Sequence, residues 1–229
     1  MIVLGIETAT ARGGVAIGGP QGVLASSDLV HGRRHVETLA PSIDFVCQQT
    51  GIDINTIDLV AVDTGPGTFT GLRVGVATAK AIMHARGISA VGVSSLDLVA
   101  HATRLTRKRI VSVLDALREE VFWAAYESTG TGVRRVIEPS VAKPQDVVRE
   151  LAESGQECLV AGDGAERYRA LFTPLGHVEL AGPAFQYPSA AALVEIASVR
   201  VRCGESERNA SLDLMYLREP YIHPKRRND

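Results

Sequence analysis

The chain has 229 residues, 45% hydrophobic and 22% charged, with a net charge of −2 and three cysteines. That length suits one large domain or two lobes of about a hundred residues each, and the charge excludes a global basic field that would bind nucleic acid unaided. No apolar run approaches the ~20 residues of a membrane span, "MIVLGIETAT" lacks the features of a signal peptide, and Cys47, Cys158 and Cys203 form no CxxC pair, so a cytoplasmic protein with buried thiols is expected.

"IVLGIET" and "GGVAIGG" read as two strands around a turn at Thr8 to Arg12, and "GVLASSDLV" as a third. In "HVETLAPSIDFVCQQTG", Val36, Leu39, Ala40, Ile43, Val46 and Cys47 recur at helical spacing. They predict an amphipathic helix over 36–50, closed by Gly51 and bent by Pro41 near Glu37. "DLVAVD" (58–63) is a strand, "GPGTFTGLRVGVATAK" (65–80) leads into a helix over 70–86, and "ISAVGV" (88–93) is a strand. "SSLDLVAHATR" opens a helix with Ser94 and Asp97 spaced as a capping box.

The same order then recurs. Residues 109–115 and 120–127 make a hairpin and "RRVIEPSVA" a third strand. "PQDVVRELAESG", "ECLVAGDG", "AERYRALF", "HVELAG" and "SAAALVEIASVRVRC" follow as helix, strand, helix, strand and helix. This predicts an α/β fold of two βββαβαβα units, with mixed sheets and helices on both faces. The lobes are expected at 1–106 and 107–229, joined at "RLTRKR" (104–109), with a basic tail at the end.

The glycine-rich stretch is neither of the familiar nucleotide loops. Gly71 is followed by Leu72 and Arg73 rather than the Lys-Ser or Lys-Thr of a Walker A loop. Gly65, Gly67 and Gly71 are spaced one residue too widely for a dinucleotide fingerprint, and no acid follows at the required distance. Instead Gly71, Gly75 and Ala79 form a ridge of minimal side chains beside an apolar stripe of Leu72, Val76 and Met83. Helical glycine costs ~1 kcal/mol relative to alanine, so the ridge predicts close approach of another element, within the chain or in a partner. Thr68 and Thr70 are candidate caps, and the helix start leaves room for an anion.

"GIETAT", "RRHVETLAPSI", "DTGPGTFTGLRVGVATAKAI", "GVSSLD", "VLDALREEVFWAAY", "AGDGAERY" and "YLR" (216–218), in this order across nearly the whole chain, resemble the TsaB (YeaZ) family. That family is the bacterial accessory subunit needed to make threonylcarbamoyladenosine in tRNAs that read codons starting with A. The resemblance implies the two-lobed actin/hexokinase-type (ASKHA, ribonuclease H-like) fold. The catalytic relative TsaD carries a His-x-x-x-His metal site in the segment matching "GVSSLDLVA", where this chain has Ser95 and Val99. Neither side chain replaces an imidazole, so the resemblance implies a non-catalytic subunit without a metal.

It further implies a partner face on helices 36–50 and 70–86, with Leu39 and Ile43 from the first and Phe69, Leu72, Arg73, Val76 and Lys80 from the second. The implied partners are a TsaD-like catalytic subunit and a TsaE-like ATPase, with a second copy of the chain when the partner is absent. Contact with tRNA would be indirect, through the complex.

"IETAT" lies where ATPases of this fold place Asp-x-Gly-Thr, but the acid is Glu7 and the glycine position Ala9. The residues that would touch nucleotide are Thr8, Asp115, Gly162 and Gly164. Asp115 also reads as a turn carboxylate, and Gly162-Asp163-Gly164 as a strand-to-helix turn. No cofactor of the chain's own is expected, which leaves ATP or ADP a place at the interface of the complex. Two alternatives stay open: a free-standing ATP-binding enzyme of the sugar-kinase type using Glu7 and Asp115, and a homodimeric regulatory protein. The clusters Arg104/Arg107/Lys108/Arg109 and Lys225/Arg226/Arg227 read as solvated surface or as a weak tRNA contact.

Overall fold

The computed structural model describes residues 1–30, 35–203 and 212–217. Val3–Glu7 (β1) is buried along its whole length because both faces of its sheet are covered. It pairs antiparallel with Arg12–Gly19 (β2), which pairs antiparallel with Gly22–Val30 (β3). After His35–Thr50 (α1), Leu59–Gly65 (β4) joins β1 in parallel; after Phe69–Arg86 (α2), Ser89–Ser94 (β5) joins β4 in parallel. The sheet order is β3-β2-β1-β4-β5.

Ser95–Ala102 (α3) leads to the second sheet. There Arg109–Asp115 (β6), Val121–Ser128 (β7) and Val133–Ala142 (β8) form the meander. Pro144–Ser154 (α4), Cys158–Ala161 (β9), Asp163–Arg167 (α5), Arg169–Phe172 (α6) and Val178–Leu180 (β10) follow. The order β10-β9-β6-β7-β8 repeats that of the first sheet, strand for strand. The duplication read from the order of elements is therefore a duplication of topology. One expected helix, "AERYRALF", is two short ones, because Tyr168 leaves helical geometry at φ −107°, ψ 24°.

On one face of the first sheet, Leu39, Ile43 and Val46 of α1 and Val76 and Ala79 of α2 pack against Leu4, Ile6, Val60 and Val62. On the other face, Leu193, Val194 and Ala197 of Ala190–Arg202 (α7) meet Val3, Leu59, Ala61 and Val91. Helix α7 thus packs on the first sheet although its sequence lies in the 107–229 span. Gly5 permits the approach, since a Cβ there would stand 2.7 Å from the Ala190 carbonyl oxygen. The segment 212–217 returns the same way: Leu212 enters the first core, and Met215 N–H donates to the Thr64 carbonyl at 2.8 Å. Arg218 of the "YLR" motif and the Lys225/Arg226/Arg227 cluster lie outside the described residues.

Helix α3 joins the lobes. Leu96, Val99 and Ala100 pack against Ile110, Leu114, Phe122 and Tyr126 of the second sheet, and the Ser112 hydroxyl donates to the Leu96 carbonyl at 2.9 Å. Among the described residues no helix is long and apolar enough to cross a membrane.

Candidate functional site

The glycine ridge of α2 faces inward. A Cβ at Gly71 would run into the Thr8 carbonyl, and one at Gly75 into the Thr8 hydroxyl. Ala79 is in the core. The ridge therefore seats α2 on the loop after β1, within the chain. Helix α2 begins after Thr68, whose N–H donates to the Ala9 carbonyl at 2.6 Å; the Thr68 side chain makes no capping bond.

This orientation corrects the partner face expected from the sequence. Leu72 is 1% exposed and Val76 5%, and Leu39 and Ile43 are buried in the same core. All four stabilise the fold and present nothing to a partner. The phase error is physical: the ridge and the Leu72/Val76 stripe adjoin on the helix, and both turn toward the sheet. Phe69, Arg73 and Lys80 are exposed.

The helix pair also exposes residues outside that expected face. Val36, expected on the buried stripe of α1, is exposed, as is Ala40; Phe45 is 49% exposed. On α2, Ala77 and Ala81 are exposed along with Arg73 and Lys80. Phe69 is 42% exposed, with the Arg73 guanidinium 3.7 Å above its ring centroid and the Tyr216 ring 5.7 Å away. Paired exposed aromatics with an arginine are the composition of an interface anchor rather than of an ordinary surface. Phe45 carried a signal in the sequence, as an aromatic out of phase with its helix's apolar stripe; Tyr216 carried none, since only the returning C-terminal segment brings it to Phe69.

The positions expected to touch nucleotide are engaged within the chain. The Thr8 hydroxyl is buried and donates to the Gly71 carbonyl at 2.8 Å. Glu7 is buried, with Oε1 accepting from Ala9 N–H at 2.6 Å; burial and neighbouring Asp63 hold its carboxyl well above the usual carboxylate range. The structure does bring Asp115, Gly162 and Gly164 together, but as packing. Gly162, at φ 118°, abuts the Val113 backbone, and a Cβ at Gly164 would stand 3.0 Å from Asp115 N. Asp115 Oδ1 accepts from Leu117 N–H at 3.1 Å, the turn role, and Oδ2 from Arg167 at 3.2 Å. Asp163 Oδ1 accepts from Asp115 N–H at 2.9 Å, and burial pushes its carboxyl up to about 6. The Thr8 hydroxyl is thus engaged within the chain, and Gly162 and Gly164 allow close backbone packing.

Ser95, one of the two positions matched to imidazoles, donates its hydroxyl to Asp63 Oδ1 at 2.7 Å, and Val99 is in the interlobe core. Asp97, between them, does not complete a capping box. Ser94 caps α3 by accepting from Leu96 N–H at 3.3 Å, while the Asp97 carboxylate turns to the second lobe. It accepts from Tyr126 Oη at 2.9 Å and from Arg135 Nε and Nη2 at 2.8 and 2.6 Å. Arg200 of α7 stands 3.9 Å away. This cluster lines a groove of about 390 Å³ between α3, the β7–β8 hairpin and α7. The basic joint is largely neutralised, with Lys108 on Glu179, Arg109 on Glu127 and Arg104 on Glu195.

The family model that describes TsaD, tRNA N6-adenosine threonylcarbamoyltransferase, matches residues 29–223. An uncharacterised protein of Mycobacterium leprae is 38% identical over 97% of this chain, which spans 56% of that protein's length. The Escherichia coli tRNA threonylcarbamoyladenosine biosynthesis protein TsaB is 27% identical, over 95% of each chain. Among solved structures, a Pseudomonas aeruginosa protein described as similar to peptidase YeaZ superposes with a TM-score of 0.82 at 25% identity, covering 95% of this chain and 99% of its own. The ROK hexokinase of Thermus thermophilus, at 11% identity and a TM-score of 0.54 over 88% of this chain and 100% of its own, shares the fold.

Proposed function

The chain belongs to the TsaB (YeaZ) family, and from that premise we propose that it is a non-catalytic subunit that binds and activates a TsaD-like transferase. The reaction served is threonylcarbamoyl transfer to adenosine of tRNAs reading codons that start with A. The observation that carries this reading is the set of residues that α1 and α2 leave exposed: Val36 and Phe45 on the first, Phe69 and Ala77 with Arg73 and Lys80 on the second. A helix pair whose buried stripes are spent on the core and which still leaves two aromatic rings exposed suits a helix-to-helix contact between subunits.

The chain supplies no catalytic group of its own in this reading, and no nucleotide: Thr8, Asp115, Gly162 and Gly164 serve packing and turns. ATP or ADP would bind where the partner adds the missing contacts. A TsaE-like ATPase joins the complex, tRNA reaches it through the catalytic subunit, and a second copy of this chain occupies the same face when the partner is missing.

Size exclusion with light scattering tests the reading, on the chain alone and mixed with its own TsaD-like partner. Wild type forms a heterodimer; Ala77→Glu and Phe45→Glu keep their fold by circular dichroism and lose it, because each puts a carboxylate on the outer side. Val76→Glu instead unfolds the chain, since it buries the charge in the core. A heterodimer indifferent to both outer-side substitutions would refute the face.

A further inference from the structure

Glu7 ends β1 and Asp63 lies on the neighbouring parallel strand β4, one residue beyond the Ile6–Val62 pair. Parallel neighbours run about 4.8 Å apart with paired residues on one face, so these two carboxylates stand side by side. Both residues are buried, at 1% and 0% exposure. Each has one oxygen served: Glu7 Oε1 by Ala9 N–H, and Asp63 Oδ1 by Gly65 N–H and Ser95 Oγ, both at 2.7 Å. The other oxygens, Glu7 Oε2 and Asp63 Oδ2, are buried without a hydrogen-bond partner.

The surroundings do not balance two negative charges. Arg12 of β2 and Asp28 of β3 act on Glu7, but Arg12 is held by Asp28 at 3.1 Å. Asp97 of α3 adds negative charge near Asp63, and its own cation, Arg135, is engaged by it on two nitrogens. Two adjacent buried carboxylates cannot both ionise without heavy cost.

We propose that Glu7 and Asp63 share one proton in the folded protein, a neutral Glu7 carboxyl donating from Oε2 to Oδ2 of an ionised Asp63. One proton removes one charge and gives both orphaned oxygens a partner. Asp63 is the carboxylate of the pair because its Oδ1 accepts two donors and Glu7 Oε1 only one. The direction agrees: burial holds Glu7 well above the carboxylate range, and burial raises Asp63 to about 7 against the pull of Ser95 and Gly65.

The bridge ties the loop after β1 to the loop after β4, which together seat the start of α2 through Thr8 and Thr68. Both acids are raised above their unfolded values near 4. Their contribution to stability is therefore complete below about pH 4; it falls as pH rises through about 7, where Asp63 ionises and the pair comes to hold its one shared proton, and is lost higher, where Glu7 gives that proton up. The pair makes this junction a base-sensitive joint.

Infrared spectroscopy of the full chain at about pH 8.5, where Asp63 no longer holds a proton of its own, tests this. Wild type shows the C=O stretch of a buried protonated carboxyl; Glu7→Gln abolishes it, and Asp63→Asn keeps it but shifts its frequency as the acceptor becomes an amide. Thermal midpoints from about pH 6 to about pH 9 fall with rising pH in wild type and flatten in Asp63→Asn. If Glu7→Gln does not fold, the wild-type band and Asp63→Asn decide alone. Absence of the wild-type band, or an unchanged slope in Asp63→Asn, would overturn the proposal. So would loss of the band on adding magnesium or manganese with a rise in midpoint, which would make the pair a cation site.

Discussion

Thr8 Oγ1 donates to the Gly71 carbonyl across 2.8 Å, and Gly75 lies directly over the same hydroxyl. A threonine in the loop after β1 thereby locks the glycine ridge of α2 against that strand. The Thr8 hydroxyl is used up on a helix of its own chain, and the small residues that suggest an intersubunit ridge are filled from within the chain.

Gly75→Ala is expected to destabilise by about 1–3 kcal/mol through overpacking against Thr8. Because the atom struck is the Thr8 hydroxyl, Thr8→Ala should recover part of that loss in the double variant. Gly71→Ala strikes the Thr8 backbone carbonyl, and the same second substitution recovers nothing. Urea midpoints of the six chains, wild type, three single and two double variants, measure both couplings.

Asp97 joins α3 to Tyr126 and Arg135 of the second lobe. Asp97→Ala removes the acceptor from a half-buried guanidinium and a buried hydroxyl together, and is expected to cost about 3–5 kcal/mol. Tyr126→Phe removes one donor only and should cost about 1–2 kcal/mol. Equilibrium unfolding ranks them, and equal losses would deny Asp97 its central place.

Asp163 titrates near 6, raised first by burial. A raised acid stabilises fully below its unfolded value near 4 and loses that contribution as pH climbs through about 6. Asp163→Asn keeps an oxygen for Asp115 N–H and removes the charge. The fall in thermal midpoint between about pH 4 and pH 6 should therefore be shallower in the variant, as calorimetry across that range reads directly.

The order of elements was legible because strand and helix periodicities are local, and the repeated run of three strands followed by alternating helices and strands reads straight from the chain. The replacement of both expected imidazoles by Ser95 and Val99 was equally legible, being a matter of identity alone. Tertiary structure decided which side of each helix faces out. Periodicity marks a stripe without saying what covers it, so Leu39, Ile43, Leu72 and Val76 read equally well as interface or core until the sheet beneath them is known. It decided that α7 and residues 212–217 return to the first sheet, putting Tyr216 beside Phe69. It alone made neighbours of Glu7 and Asp63, because parallel pairing joins strands distant in sequence and no local pattern records which carboxylates will share a rung.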